Sequence, residues 1–70
     1  MNERIRNMRE DKDLSQKDMA EILHVSQTTY SDYELGKINI PPQTLIKLAS
    51  FHHTSIDYLL GLTDNPASYQ

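Results

Sequence analysis

The sequence has no cysteine, which excludes a disulfide framework and a thiolate metal site. It has no apolar run near the roughly 18 residues of a membrane span, which excludes a spanning helix. Its start, Met1-Asn2-Glu3-Arg4, opens a polar amphipathic segment rather than a signal peptide. With the absent cysteines, this points to the cytoplasm. Glycine and proline are scarce, two and three respectively. Gly36, Gly61, Pro41, Pro42 and Pro66 each fall where a helical pattern stops or starts. Repeats and low-complexity tracts are missing, and little of the chain alternates as a half-buried strand must. There is no nucleophile with a convincing base, no glycine-rich phosphate loop and no carboxylate pair in a credible pocket, so the chain does not read as an enzyme or a cofactor binder. Positive charge is also short. Seven Lys and Arg face ten Asp and Glu, for a net charge of -3, which disfavours nucleic-acid binding unless the basic groups are well placed.

What is present reads as an all-α chain of five short helices, one domain over 1–64 with a tail over 65–70. Seventy residues suffice for one small core. Such a core supplies only about 3–5 kcal/mol, so dimerisation would help. The first helix runs from about Asn2 to Asp11, with Ile5 and Met8 on one face. Ser15 caps the second, and Asp18 three residues on completes a capping-box pattern. Met19, Ala20, Ile22 and Leu23 form its inner face. His24-Val25 is a tight turn, and Ser26 is the next N-cap. The third helix reaches Leu35 and stops at Gly36. Lys37 to Pro41 is a loop, with Ile38 and Ile40 candidates for burial. Pro42 suits the first turn of the fourth helix, which buries Leu45, Leu48, Ala49 and Phe51. Thr54 or Ser55 caps the fifth, whose inner face is Ile56, Leu59 and Leu60, and Gly61 ends it. The chain after Asp64 is expected to fray, and Asn65-Pro66 has the character of a linker start.

Two helices joined by a three- or four-residue turn are the helix-turn-helix unit. Ala20 is small where the third helix must cross the second. Met19, Leu23, Val25, Tyr30 and Tyr33 supply apolar contacts on both sides of the turn. The outward face of the third helix carries Gln27, Thr28, Ser31 and Asp32, hydrogen-bonding side chains short enough to lie against base edges. The stretch LSQKDMAEILHVSQTTYSDYELGK resembles the Cro/repressor-type (Xre-like) helix-turn-helix family. PPQTLIKLASFHHTSIDYLLGLTD resembles that family's fourth and fifth helices and IRNMREDK its first, so the resemblance covers about residues 3–64.

The resemblance implies a lambda-repressor-like fold that binds double-stranded DNA. Gln16 matches a position that bonds a phosphate at a helix N-terminus. Gln27, Thr28 and Asp32 match base-reading positions. Gln pairs with adenine N6 and N7, the Thr methyl touches a thymine methyl, and Asp32 either accepts from cytosine N4 or repels phosphates. Lys17, Thr29, Ser31 and Lys37 are backbone contacts. Arg9 and Glu34 match an inner salt bridge, which leaves neither charge buried alone.

The chain departs from the pattern at His24, where the family often has glycine. His is among the residues that tolerate φ > 0. It departs again at Ile38-Asn39-Ile40-Pro41, where relatives place Arg or Lys. Tyr30 and Tyr33 stand three apart, as core residues do, rather than as a platform for unpaired bases. His52 and His53 are adjacent and point about 100° apart on a helix, so they do not share a metal ion. No Cys/His ligand set completes a zinc site. The implied function is a sequence-specific transcription regulator, a repressor in the first reading. It would bind as a homodimer, with recognition helices about 34–36 Å apart on a near-palindromic operator. By resemblance, the dimer surface involves the fourth and fifth helices and the tail, with Leu62 and Tyr58 as candidates. The other reading is a protein-binding module, an antitoxin or adaptor, which the acidic balance favours.

Overall fold

Each helix among the described residues ends in the same way. A residue in the left-handed region follows it, and the next N–H reaches back five residues to a helix carbonyl, which satisfies groups a helix end would otherwise leave unpaired. The left-handed residues are Asp13, His24, Gly36, His53 and Gly61, with φ of 56, 57, 73, 53 and 77°. The closing bonds are Leu14 to Arg9, Val25 to Ala20, Lys37 to Asp32, Thr54 to Ala49 and Leu62 to Asp57, all between 2.8 and 3.2 Å. Three of these sites lack glycine. Asp and His carry the strain that glycine avoids.

The computed structural model describes residues 3–67. Five helices lie among them: α1 Glu3–Asp11, α2 Gln16–Leu23, α3 Gln27–Leu35, α4 Pro42–Phe51 and α5 Ile56–Leu59. Asn2, the expected start of the first helix, and the end of the tail, 68–70, lie outside the described residues. The N-terminal caps are side-chain hydroxyls at Ser15, Ser26 and Ser55, while Pro41 precedes α4 and Pro42 opens it. Ser15 and Asp18 form the capping box in both directions, at 3.0 and 2.9 Å. Of the two caps considered for α5, Ser55 accepts from the Tyr58 N–H.

The chain divides into two compact units, Met1–Asn39 and Ile40–Gln70. In the first, α3 packs against both α1 and α2. Ile5, Met19, Ala20, Leu23, Tyr30 and Tyr33 are its buried apolar residues. In the second, α4 packs against α5, and Leu48, Ala49 and Leu59 are buried.

Several expected core residues lie further out. Ile22 is 37% exposed, because Met19, Ala20 and Leu23 fill the inner stripe of this eight-residue helix and Ile22 sits at its edge. Leu60 is 53% exposed. It lies past the end of α5 as the C-cap, so the helical period no longer turns it inward. Ile38, in the loop, is exposed, and Leu45, Phe51 and Ile56 are half-buried. The chain after Asp64 is expected to fray, and Pro66 within it is held. The Thr54 hydroxyl donates to the Pro66 carbonyl at 2.7 Å.

Candidate nucleic-acid interface

The turn between α2 and α3 is His24, Val25 and Ser26. His24 takes φ 57°, ψ 43°, the left-handed geometry expected where the family often has glycine. Ser26 then accepts from the Thr29 N–H and opens α3. The turn fixes where α3 starts, and the helical period fixes which way its side chains face. Tyr30, Tyr33 and Glu34, at i, i+3 and i+4, are its buried face. Gln27, Thr28, Ser31, Asp32 and Leu35 fall on another stripe.

That stripe is one wall of an open concavity of about 360 Å³, lined by Gln16, Gln27, Thr28, Ser31, Asp32, Leu35 and Lys37. Six of the eight residues expected to touch DNA therefore share one surface. Gln27, Thr28 and Lys37 are exposed, and Gln16, Ser31 and Asp32 half-buried. Lys37 is tied to the end of α3 by its N–H to the Asp32 carbonyl at 3.0 Å. The other two lie outside this surface. Lys17 is exposed on α2. The Thr29 hydroxyl accepts from Ser26 Oγ at 2.9 Å, within the α3 cap. Leu35, half exposed, is a member that reading the polar side chains alone misses. Its spacing of four from Ser31 and eight from Gln27 was the available signal.

The concavity offers donors and acceptors on Gln16, Gln27, Thr28 and Ser31, an acceptor on Asp32 and a cation on Lys37. This set matches base edges and phosphates better than it matches reaction chemistry. Tyr30 and Tyr33 are both buried, with ring centroids 6.4 Å apart and an interplanar angle of 83°. An edge-to-face pair inside the core has no free face for a base. Among the described residues, no group of three His, Cys, Asp or Glu could hold a metal, and no helix is long and apolar enough to cross a membrane.

Behind the concavity lies an ion pair. Arg9 Nε donates to Glu34 Oε2 at 2.7 Å and its Nη2 to Oε1 at 3.3 Å, while Nη1 donates to the Leu14 carbonyl at 2.8 Å. Only 12% of the Arg9 side chain and 4% of the Glu34 side chain are exposed. Gln16 Nε2 also donates to Glu34 Oε1, at 3.1 Å. Burial alone would raise the Glu34 pKa. Hydrogen bonds from Arg9 and Gln16, with the nearby Tyr30 hydroxyl, outweigh that and hold it below its ordinary value of 4.5. The Tyr30 hydroxyl is buried beside the carboxylate without a well-aligned hydrogen bond among the described residues. Burial, then the neighbouring carboxylate, pushes its pKa up.

Three Bacillus subtilis (strain 168) proteins illustrate what the chain is similar to. The uncharacterized HTH-type transcriptional regulator YobD is 34% identical over 64 residues, covering 91% of this chain and 57% of that protein. The SPbeta prophage-derived uncharacterized HTH-type transcriptional regulator YonR is 38% identical over 58 residues, covering 83% and 54%. The HTH-type transcriptional regulator ImmR is 33% identical over 61 residues, covering 87% and 48%. The chain thus spans about half the length of the curated relatives it matches. No solved structure matches it significantly. The helix-turn-helix family model matches residues 5–59, a span holding the capped α2, the left-handed turn at His24 and the outward stripe of α3, and the chain belongs to that family.

Proposed function

We propose that this chain is a sequence-specific DNA-binding transcription regulator whose α3 enters the major groove. The observation that carries the reading is the shared surface of Gln16, Gln27, Thr28, Ser31, Asp32 and Lys37. Gln27, Thr28 and Asp32 read base edges. Gln16, Ser31 and Lys37 hold the backbone, with Lys17 and Thr29 at the flanks. The named relatives are transcriptional regulators, which supports the same class. The reading extends to a cytoplasmic repressor that acts as a homodimer on a near-palindromic operator. One basic residue in the concavity is a thin phosphate clamp, and two copies double it.

The test is selection of duplexes from a random library, followed by substitution. Gln27→Ala or Thr28→Ala should relax the choice at one base step by about 1–3 kcal/mol. Lys37→Ala should weaken all duplexes alike and lower the salt slope by about 2, one contact from each copy of the dimer. If none of the three alters binding, α3 does not dock as proposed. A second reading, an antitoxin- or adaptor-like protein binder, is favoured by the net charge of -3 and by exposed Ile46, Leu60 and Leu62 in the second unit. Failure to enrich any duplex would favour it.

A further inference from the structure

Gln16 lies between two concavities. It lines the open face with the α3 stripe, and it lines a smaller one, about 210 Å³, with Arg9 and Glu34. Its amide has two N–H donors and one acceptor. One donor is already committed to Glu34 Oε1 at 3.1 Å. An ionised carboxylate only accepts, so this bond decides which way round the amide sits.

We propose that Glu34, held by Arg9, is a positioning residue for DNA binding: it fixes the Gln16 amide so that the second N–H is presented to a phosphate. This rests on the DNA-binding reading above. A glutamine at the surface loses rotamer freedom when it grips a ligand, and that loss weakens the grip. Here the ordering is done in the free protein. The cation matters as well. A lone carboxylate behind Gln16 would repel the phosphate, and the two bonds from Arg9 offset that charge. Arg9 is itself fixed by the Leu14 carbonyl. The end of α1, the start of α2 and the end of α3 thus meet at one amide. The ion pair is then part of recognition as well as of architecture.

The test uses a duplex selected by the wild-type protein, and each fold-change below is per bound copy of the chain. Two double variants remove both charges. Arg9→Met with Glu34→Gln keeps a carbonyl acceptor for Gln16, and Arg9→Met with Glu34→Met does not. In the wild type, Gln16→Ala should weaken binding about tenfold, the order of one hydrogen bond to a charged group. It should leave the salt slope unchanged, because the side chain is neutral. The Gln-bearing pair should bind within about threefold of wild type, and the Met-bearing pair about tenfold more weakly. Adding Gln16→Ala to the Met-bearing pair should cost less than about twofold. An equal cost in wild type and in the Met-bearing pair overturns the proposal while leaving the DNA reading intact.

A second measurement needs neither DNA nor a substitution. The Gln16 side-chain amide of the free, nitrogen-15-labelled protein should have an order parameter near the rigid-backbone value of about 0.85. A value below about 0.6 shows a mobile amide and overturns the proposal. If the wild type enriches no duplex, the DNA reading falls and this proposal with it.

Discussion

Replacing Arg9 by methionine strips two hydrogen bonds from a carboxylate whose side chain is only 4% exposed, and a third from the Leu14 carbonyl. Breaking one side of a buried pair costs about 3–5 kcal/mol, because the surviving charge is left without its counterion. Gln16 still donates to Glu34, which places the expected loss at the low end, about 3 kcal/mol. At about 4–8 °C per kcal/mol for a domain of this size, the melting temperature should fall by roughly 12–24 °C. A core this small supplies only about 3–5 kcal/mol in all, so the variant should be close to unfolded at room temperature. Adding Glu34→Leu removes the stranded charge and should recover the loss to within about 1 kcal/mol.

The pH dependence provides an internal check. The folded Glu34 pKa lies below its ordinary 4.5, so the pair's stabilisation is fully present above the ordinary value and is lost as pH falls through the folded one. Without Arg9, burial dominates and favours the neutral acid. The deficit of Arg9→Met relative to wild type should therefore narrow between pH 7 and about pH 4. Circular-dichroism melts of the three proteins at both pH values measure all of this. A loss under about 1 kcal/mol at pH 7 would refute the reasoning, as would a double variant no more stable than the single one.

Other substitutions probe the scaffold. Ala20 is buried where α2 packs on α3, so Ala20→Leu should cost about 1–3 kcal/mol by overpacking, read from urea midpoints. His24→Gly and His53→Gly relieve side chains held at φ 57° and 53°. Each should raise the melting temperature by an amount equivalent to about 0.5–1 kcal/mol, and unchanged or lower melts would mean that glycine's unfolded-state entropy wins. Ser26→Ala removes the hydroxyl that accepts from the Thr29 N–H and should cost about 1 kcal/mol. It should also fray the first turn of α3 in amide-exchange measurements.

The features legible in the sequence are those set by local chemistry. Ser15 with Asp18, Ser26, Gly36 and Pro42 act within one turn of themselves, and the structure places each as a cap, stop or first residue. The left-handed His24 was legible from the family pattern together with histidine's tolerance of φ > 0. The pairing of Arg9 with Glu34, 25 residues apart, rests on resemblance alone, since no spacing rule reaches that far. The bond from Gln16 to Glu34 was invisible for the same reason. Gln16 read as a surface residue aimed only at DNA. Ile22 and Leu60 are apolar yet exposed, because apolar character does not by itself set direction. In helices of eight and four residues the inner stripe is narrow, and a residue one step off it faces water. Glycine-free helix stops at Asp13 and His53 were missed because neither residue type announces a left-handed backbone.

The face made by Gln16, the α3 stripe and Lys37 is proposed to hold a specific duplex by its bases and its phosphates. Titration of the wild-type protein against its selected duplex over a range of salt concentrations tests this most directly. For the proposed homodimer, with Lys17 and Lys37 of each copy on phosphates, the log–log slope should lie near about -4, and the enriched sites should be near-palindromic. No enriched sequence, or an affinity indifferent to salt, would contradict the account.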